Sequence, residues 1–167
     1  MGGLILFIVL LATAAASAHP TQEAKFLRAV AALEDPGARF VPAYRRIAYP
    51  MGDVPAKEGV CADVVVRAYR AIGIDLQARV HDDMKRHFAL YPRTWRMRGP
   101  DTNIDHRRVL NLRAFFARHG KSLKITNDPR DYKPGDLVTW NLDPRGSTPH
   151  IGIVSPKRSR DGQRRWS

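Results

Sequence analysis

Apolar positions along this chain recur first with a helical period and then with an extended one. After Pro20, the residues Phe26, Val30 and Leu33 fall three and four apart and stop at Asp35-Pro36-Gly37, which predicts a helix closed by a turn. Pro42 to Pro55, containing YPMGDVP, is proline-rich and predicts an ordered surface loop leading into a second helix. In that helix Val60, Val64, Ala68 and Ile72 are spaced four apart, and Gly73 is a natural C-terminal stop. Asp75 can cap a third helix, in which Leu76, Val80, Met84 and Phe88 are again four apart, ending before Pro92. A short fourth helix is predicted over Val109 to Arg118, with Leu112, Phe115 and Phe116 apolar and Gly120 closing it.

From Ser122 the period becomes two, with Leu123 and Ile125 alternating against polar neighbours as in a half-buried strand. Lys133-Pro134-Gly135-Asp136 then makes a turn. Two antiparallel strands follow, Leu137 to Leu142 and His150 to Ser155, joined by a loop that carries proline and glycine. Helices gathered first and strands afterwards imply an α+β domain in which N-terminal helices pack on an antiparallel sheet. There is no internal repeat and no low-complexity tract.

The ends of the chain narrow this picture. Leu4 to Leu11 form an apolar core, followed by small residues ending Ala16-Ser17-Ala18, so residues 1–18 read as a signal peptide despite the missing basic start. The apolar core falls short of the roughly 20 residues of a transmembrane helix, which leaves an uncleaved anchor as the minor alternative. The protein is therefore expected to be exported, periplasmic or secreted, with residues 19–155 as one domain. Residues 156–167 hold Lys157, Arg158, Arg160, Arg164 and Arg165 against Asp161 and read as a basic, solvated tail.

The formal net charge is +12, from 28 Lys and Arg against 16 Asp and Glu. Such a surface attracts polyanions, which for an exported protein means cell-wall polymers or anionic lipid head groups rather than nucleic acid. An exported chain with one cysteine cannot form an internal disulfide. Cys61 is thus an intermolecular link, a buried inert thiol or a reactive one.

The reactive reading follows from placement. Cys61 stands in GVCADVVVRAYR, where a turn gives way to a helix, and a helix N-terminus favours thiolate through its free N–H groups and dipole. His150 opens the apolar run HIGIV, and an imidazole brought beside the thiol completes the nucleophile and base of a cysteine hydrolase.

These motifs carry a resemblance. PGDLV followed by HIGIV, with a cysteine opening an upstream helix, resembles the NlpC-type branch of papain-like cysteine peptidases. More closely, YPMGDVP, GVCADVVVRAYRAIGIDLQ, VHDDM, PDTNIDHRRV and HIGIVS, in that order, resemble the bacterial domain of unknown function 1287 family, grouped with those peptidases. The resemblance implies a papain-like fold and cleavage of peptide or amide bonds in bacterial cell walls, with peptidoglycan as partner and no cofactor. It also implies that Cys61 is the nucleophile, that His150 is the base, and that a third residue orients the imidazole from a strand following that of the histidine. PKRSRDGQRRWS after Ser155 does not read as that strand, so the last strands are expected to be missing and the chain to be truncated or frameshifted near Gln163. The histidine strand would then be an exposed sheet edge.

The backbone N–H of Cys61 is the natural oxyanion donor, with Tyr49 upstream as a second candidate. Asp105-His106-Arg107-Arg108 reads as a polar network beside the cleft that recognises an anionic substrate group through paired arginines. Tyr49, Asp105, His106 and Arg107 are accordingly taken as substrate-binding. Asp63 reads as a stabiliser of the helix start, and His87 and His119 as solvated. Asp101, Asn103 and Asp105 have calcium-loop spacing, but His106 and Leu112 stand where glycine and glutamate are required, which excludes calcium. Neither Asp101, Asp105 and His106 nor His81, Asp82 and Asp83 has zinc-ligand spacing, so no metal is expected. Two alternatives remain beside the hydrolase: a catalytically silent envelope-binding protein of the same fold, and a basic polyanion-binding protein with a buried Cys61.

Overall fold

The computed structural model describes residues 20–145, 148–158 and 164–166. The segment read as a signal peptide lies outside them. The described residues form a mixed α+β fold with four α-helices and two small sheets. No helix among them is long and apolar enough to cross a membrane.

Helix α1, Gln22–Ala32, is capped by Thr21, whose Oγ1 accepts the N–H of Ala24 at 3.1 Å, and it buries Phe26 and Val30. Two short strands, β1 (Arg39–Phe40) and β2 (Glu58–Gly59), pair in parallel and close the base of the proline-rich loop. Glu58 reinforces this base by pairing with Arg39 at 2.7 Å and with Arg45. Across the loop, Asp53 pairs with Arg67 at 3.0 Å and Arg70 at 2.6 Å. Gln77 accepts the N–H of Gly52 and donates to the carbonyl of Ala48, both at 2.8 Å. The loop is thus ordered by side chains that satisfy its backbone.

Helix α2, Cys61–Arg70, follows β2 directly. Its buried residues are Ala62, Asp63, Val65, Val66 and Ala68, whereas Val60, Val64 and Ile72 of the expected row are only half-buried. The helix packs against α1, two later helices and a β-strand, so more than one face is covered and a single row is a poor guide. Its end is marked by Gly73 at φ 80°, a conformation that favours glycine, with the Ile74 N–H reaching back to the Tyr69 carbonyl at 3.0 Å.

Helix α3, Leu76–His87, is capped by Asp75 and buries Leu76, Val80 and Met84 as the spacing predicts. Helix α4, Val109–His119, is preceded by a 3-10 turn over Asp105–Arg107 and buries Leu112 and Phe115. Rings stitch the helices together, with Phe26 on Tyr69 at 5.1 Å and Tyr69 on Phe116 at 5.4 Å.

The strand expected at Leu123 to Ile125 does not form. Leu123 is 56% and Ile125 86% exposed. Alternation alone cannot make a strand without a partner ladder, and the segment beyond it is instead turned by Thr126, whose hydroxyl donates to Asp131 at 2.7 Å.

Strand β3, Leu137–Asn141, pairs antiparallel with β4, Pro149–Arg158, in a register that sets Trp140 opposite His150. Strand β4 runs past Ser155, and β5, Arg164–Trp166, pairs antiparallel with it, Val154 facing Trp166. Two expectations are corrected here. The segment read as a solvated tail supplies the end of β4 and all of β5, and β4 is the middle strand of three rather than an exposed edge. Backbone pairing, interrupted by a register shift between Val154 and Arg158, outweighs the charge of the segment, and Lys157 finds Glu34 at 2.6 Å.

Candidate active site

Cys61 is the first residue of α2, and the residue before it, Val60, has no side-chain acceptor with which to cap the helix. Asp63 supplies one from inside the first turn, its Oδ2 accepting the Val60 N–H at 2.7 Å. Arg107 holds that carboxylate in a two-pronged ion pair, Nε to Oδ1 at 2.8 Å and Nη2 to Oδ2 at 3.0 Å. Both partners are buried. Gly59 lets the chain pass this pair, since a Cβ there would lie 2.9 Å from Asp63 Oδ2.

The half-buried thiol of Cys61 lies against β4, with the backbone N–H groups of Ile151 and Ala62 favouring the thiolate. Burial nevertheless pushes the thiol above its ordinary pKa, and the Asp63 carboxylate adds to the rise. The thiolate expected from the helix N-terminus is therefore not the resting form. His150, one residue before Ile151, is also half-buried, with its ring edge-on to Trp140 at 4.7 Å between centroids. Burial lowers its pKa, so it rests as neutral imidazole, the form that accepts a proton.

Cys61 and His150 open into the same cleft, about 670 Å³ in volume. Val60 and Cys61 form one side, Ile104, Arg107, Arg108 and Val109 another, and Leu142, Thr148, Pro149 and His150 a third. Phe40, Pro42, Tyr44 and Trp95 complete the rim from loops. The side chain of Arg108 pairs with Asp105 at 3.1 Å and lies over Trp95, 4.3 Å from the ring centroid.

Of the residues read as substrate-binding, the fold brings only Arg107 to the cleft wall. Asp105 and His106 are buried behind it, Asp105 accepting the N–H of Asp101 and the side chain of Arg108. Burial raises the Asp105 pKa and holds that of His106 down at about 4. Tyr49 does not line the cleft, and its ring packs edge-on against His81 of α3 at 5.3 Å. Arg108, expected beside the cleft with Arg107, does line it, whereas the rim aromatics carry no signal in the sequence, because the pattern cannot say which loop side chains converge.

A second cavity of about 460 Å³ lies over the seam of α3 and α4 and holds neither Cys61 nor His150. Beside it the buried Asp83 accepts the Tyr91 hydroxyl at 2.6 Å and the Arg118 guanidinium at 2.8 Å, with His119 at 3.1 Å. These partners hold the Asp83 carboxyl well below the usual carboxylate range. His119 is exposed, as expected, and touches this cluster from its solvent side.

The uncharacterised protein YijF of Escherichia coli (strain K12) is 51% identical over 121 residues, which cover 72% of this chain and 58% of that protein. The chain thus spans less than two thirds of the length of this relative. No solved structure matches it. Residues 29–165 match the family described as domain of unknown function (DUF1287), a span that takes in the Cys61 helix, the Asp105–Arg107 turn, and β4 with His150. With both sides of the cleft inside that span, the chain belongs to the DUF1287 family.

Proposed function

We propose that this protein is an exported cysteine hydrolase of NlpC-like, papain-like type that cleaves peptide or amide bonds of the bacterial cell wall. The observation that carries the reading is a half-buried thiol at a helix start and a neutral imidazole on the adjacent strand, opening into one cleft.

Neutral His150 takes the Cys61 proton as the sulfur attacks the carbonyl carbon, and the backbone N–H of Cys61 is the candidate donor to the developing oxyanion. The imidazolium then passes its proton to the leaving nitrogen, the C–N bond breaks, and a thioester remains on Cys61. Water, deprotonated by His150, attacks the thioester, releasing the carboxylic acid and restoring the thiol. A resting neutral pair is compatible with this sequence, because the proton moves only as the sulfur attacks.

The test is release of new amino groups from purified peptidoglycan by the full chain and by its Cys61→Ser and His150→Ala variants. Each substitution should lower the rate by about a thousandfold or more if the two residues act as one unit. Equal release by wild type and Cys61→Ser would overturn the reading. The net charge of +12 supports a second reading, a silent envelope-binding protein. In that case all three proteins bind the polymer and none cleaves it.

A further inference from the structure

We infer that the Cys61 cleft contains a carboxylate-binding subsite built on Arg107 and Arg108, so that its ligand is a peptide bearing a free carboxylate. The described residues lining the cleft include Arg107 and Arg108 and no acidic residue. The acids that balance them, Asp63 and Asp105, are buried behind the wall. Asp63 engages Nε and Nη2 of Arg107, while Nη1 has no hydrogen-bond partner among the described residues although the side chain is almost wholly buried. That nitrogen exposes essentially no surface, so Arg107 acts on the cleft through its charge and by holding Asp63, while Arg108 supplies the open donors.

Arg108 is held by Asp105 through Nη1 and by the Trp95 face, and it remains partly open to the cleft. A guanidinium fixed on both sides loses little freedom when it binds, which is how a preorganised anion site gains affinity. The same residue is the N-cap of α4 and makes no side-chain cap bond, and Val109, the first residue of that helix, lines the cleft. The positive end of an eleven-residue helix therefore favours an anion in the same place.

The inference rests on the hydrolase reading for the fate of the bound amide, while binding is tested without turnover. The probe is N-acetyl-Ala-Glu-Lys-Ala in four forms, with Glu or Gln and with a terminal acid or amide, titrated by calorimetry into the Cys61→Ala protein at fixed ionic strength. The form with neither carboxylate should bind about tenfold more weakly than the parent or worse, as a charge-assisted pair lost from a partly buried site implies. The single replacement that carries the loss shows whether a side-chain or terminal carboxylate is read.

Arg108→Ala should abolish the preference. Arg107→Lys, which keeps a cation against Asp63 but lacks the fork, should weaken it. Lys124→Ala removes the same charge from an exposed position outside the cleft and should leave the preference intact. Equal binding of all four forms, no binding of any, or an equal loss in Lys124→Ala would overturn the subsite. Carboxylate preference without cleavage by the wild type would leave the subsite standing and sink the hydrolase, and cleavage without preference would do the reverse.

Discussion

Cys61 shows how one residue can receive opposing instructions. Its place at the start of α2 and the N–H groups of Ile151 and Ala62 favour the thiolate, yet burial is the larger effect and Asp63 adds a negative neighbour. The net direction is upward. Alkylation by iodoacetamide should therefore be slow at neutral pH and rise only above the ordinary cysteine value of about 8.5. A rate already at its plateau at pH 7 would show that the helix terminus prevails. The deciding effect, burial, was invisible in GVCADVVVRAYR, because the sequence shows the helix start and the opposing Asp63 but not the strand laid over the thiol.

At the scale of elements, the start of α2 and the turn before α4 are joined by the Asp63–Arg107 pair. Asp63 fixes the Val60 N–H beside Cys61, and Arg107 fixes Asp63 while forming the wall opposite. Asp63→Asn keeps an acceptor for Val60 but strands a buried guanidinium, a change that typically costs 3–5 kcal/mol. We expect a loss of about that size in urea-unfolding free energy, with part of it recovered when Arg107→Leu is added. Additive losses in the double variant would mean that the two residues do not act as a pair. Neither half of this link could be read as such from the sequence, since the two residues lie in separate motifs and meet only through packing. The same limit explains Tyr49, which precedes the cysteine helix in the chain but turns toward His81.

The whole molecule responds to pH through what it buries. His106 is held neutral down to about pH 4 in the fold, whereas an unfolded histidine takes up its proton near 6.5. Because the folded pKa is depressed, its contribution is full above about pH 6.5 and is lost as pH falls toward 4. The loss should be on the order of 3 kcal/mol at the acid end, and His106→Gln should flatten that part of the profile of urea midpoint against pH. A wild-type profile flat between pH 7 and 4 would contradict it. Below that range Asp83, with its pKa depressed by Arg118 and Tyr91, adds its own loss as pH falls through the carboxylate range.

The sequence by itself determined the four helices, the Asp75 cap, the Gly73 stop and the β3–β4 pair, because periodicity, caps and turns are local and each is written in a few neighbouring residues. It also named Cys61 and His150 as a pair, since a thiol at a helix start and an imidazole at a strand start are local features too. Tertiary structure decided the rest. It rejected the Leu123 to Ile125 strand for want of a partner and accepted Arg164–Trp166 because β4 was there to pair with. It withdrew Asp105 and His106 behind the wall, left Tyr49 elsewhere, and set Arg108 and the loop aromatics around the cleft. Those outcomes depend on which distant surfaces meet, and on how much water each charged group loses when they do.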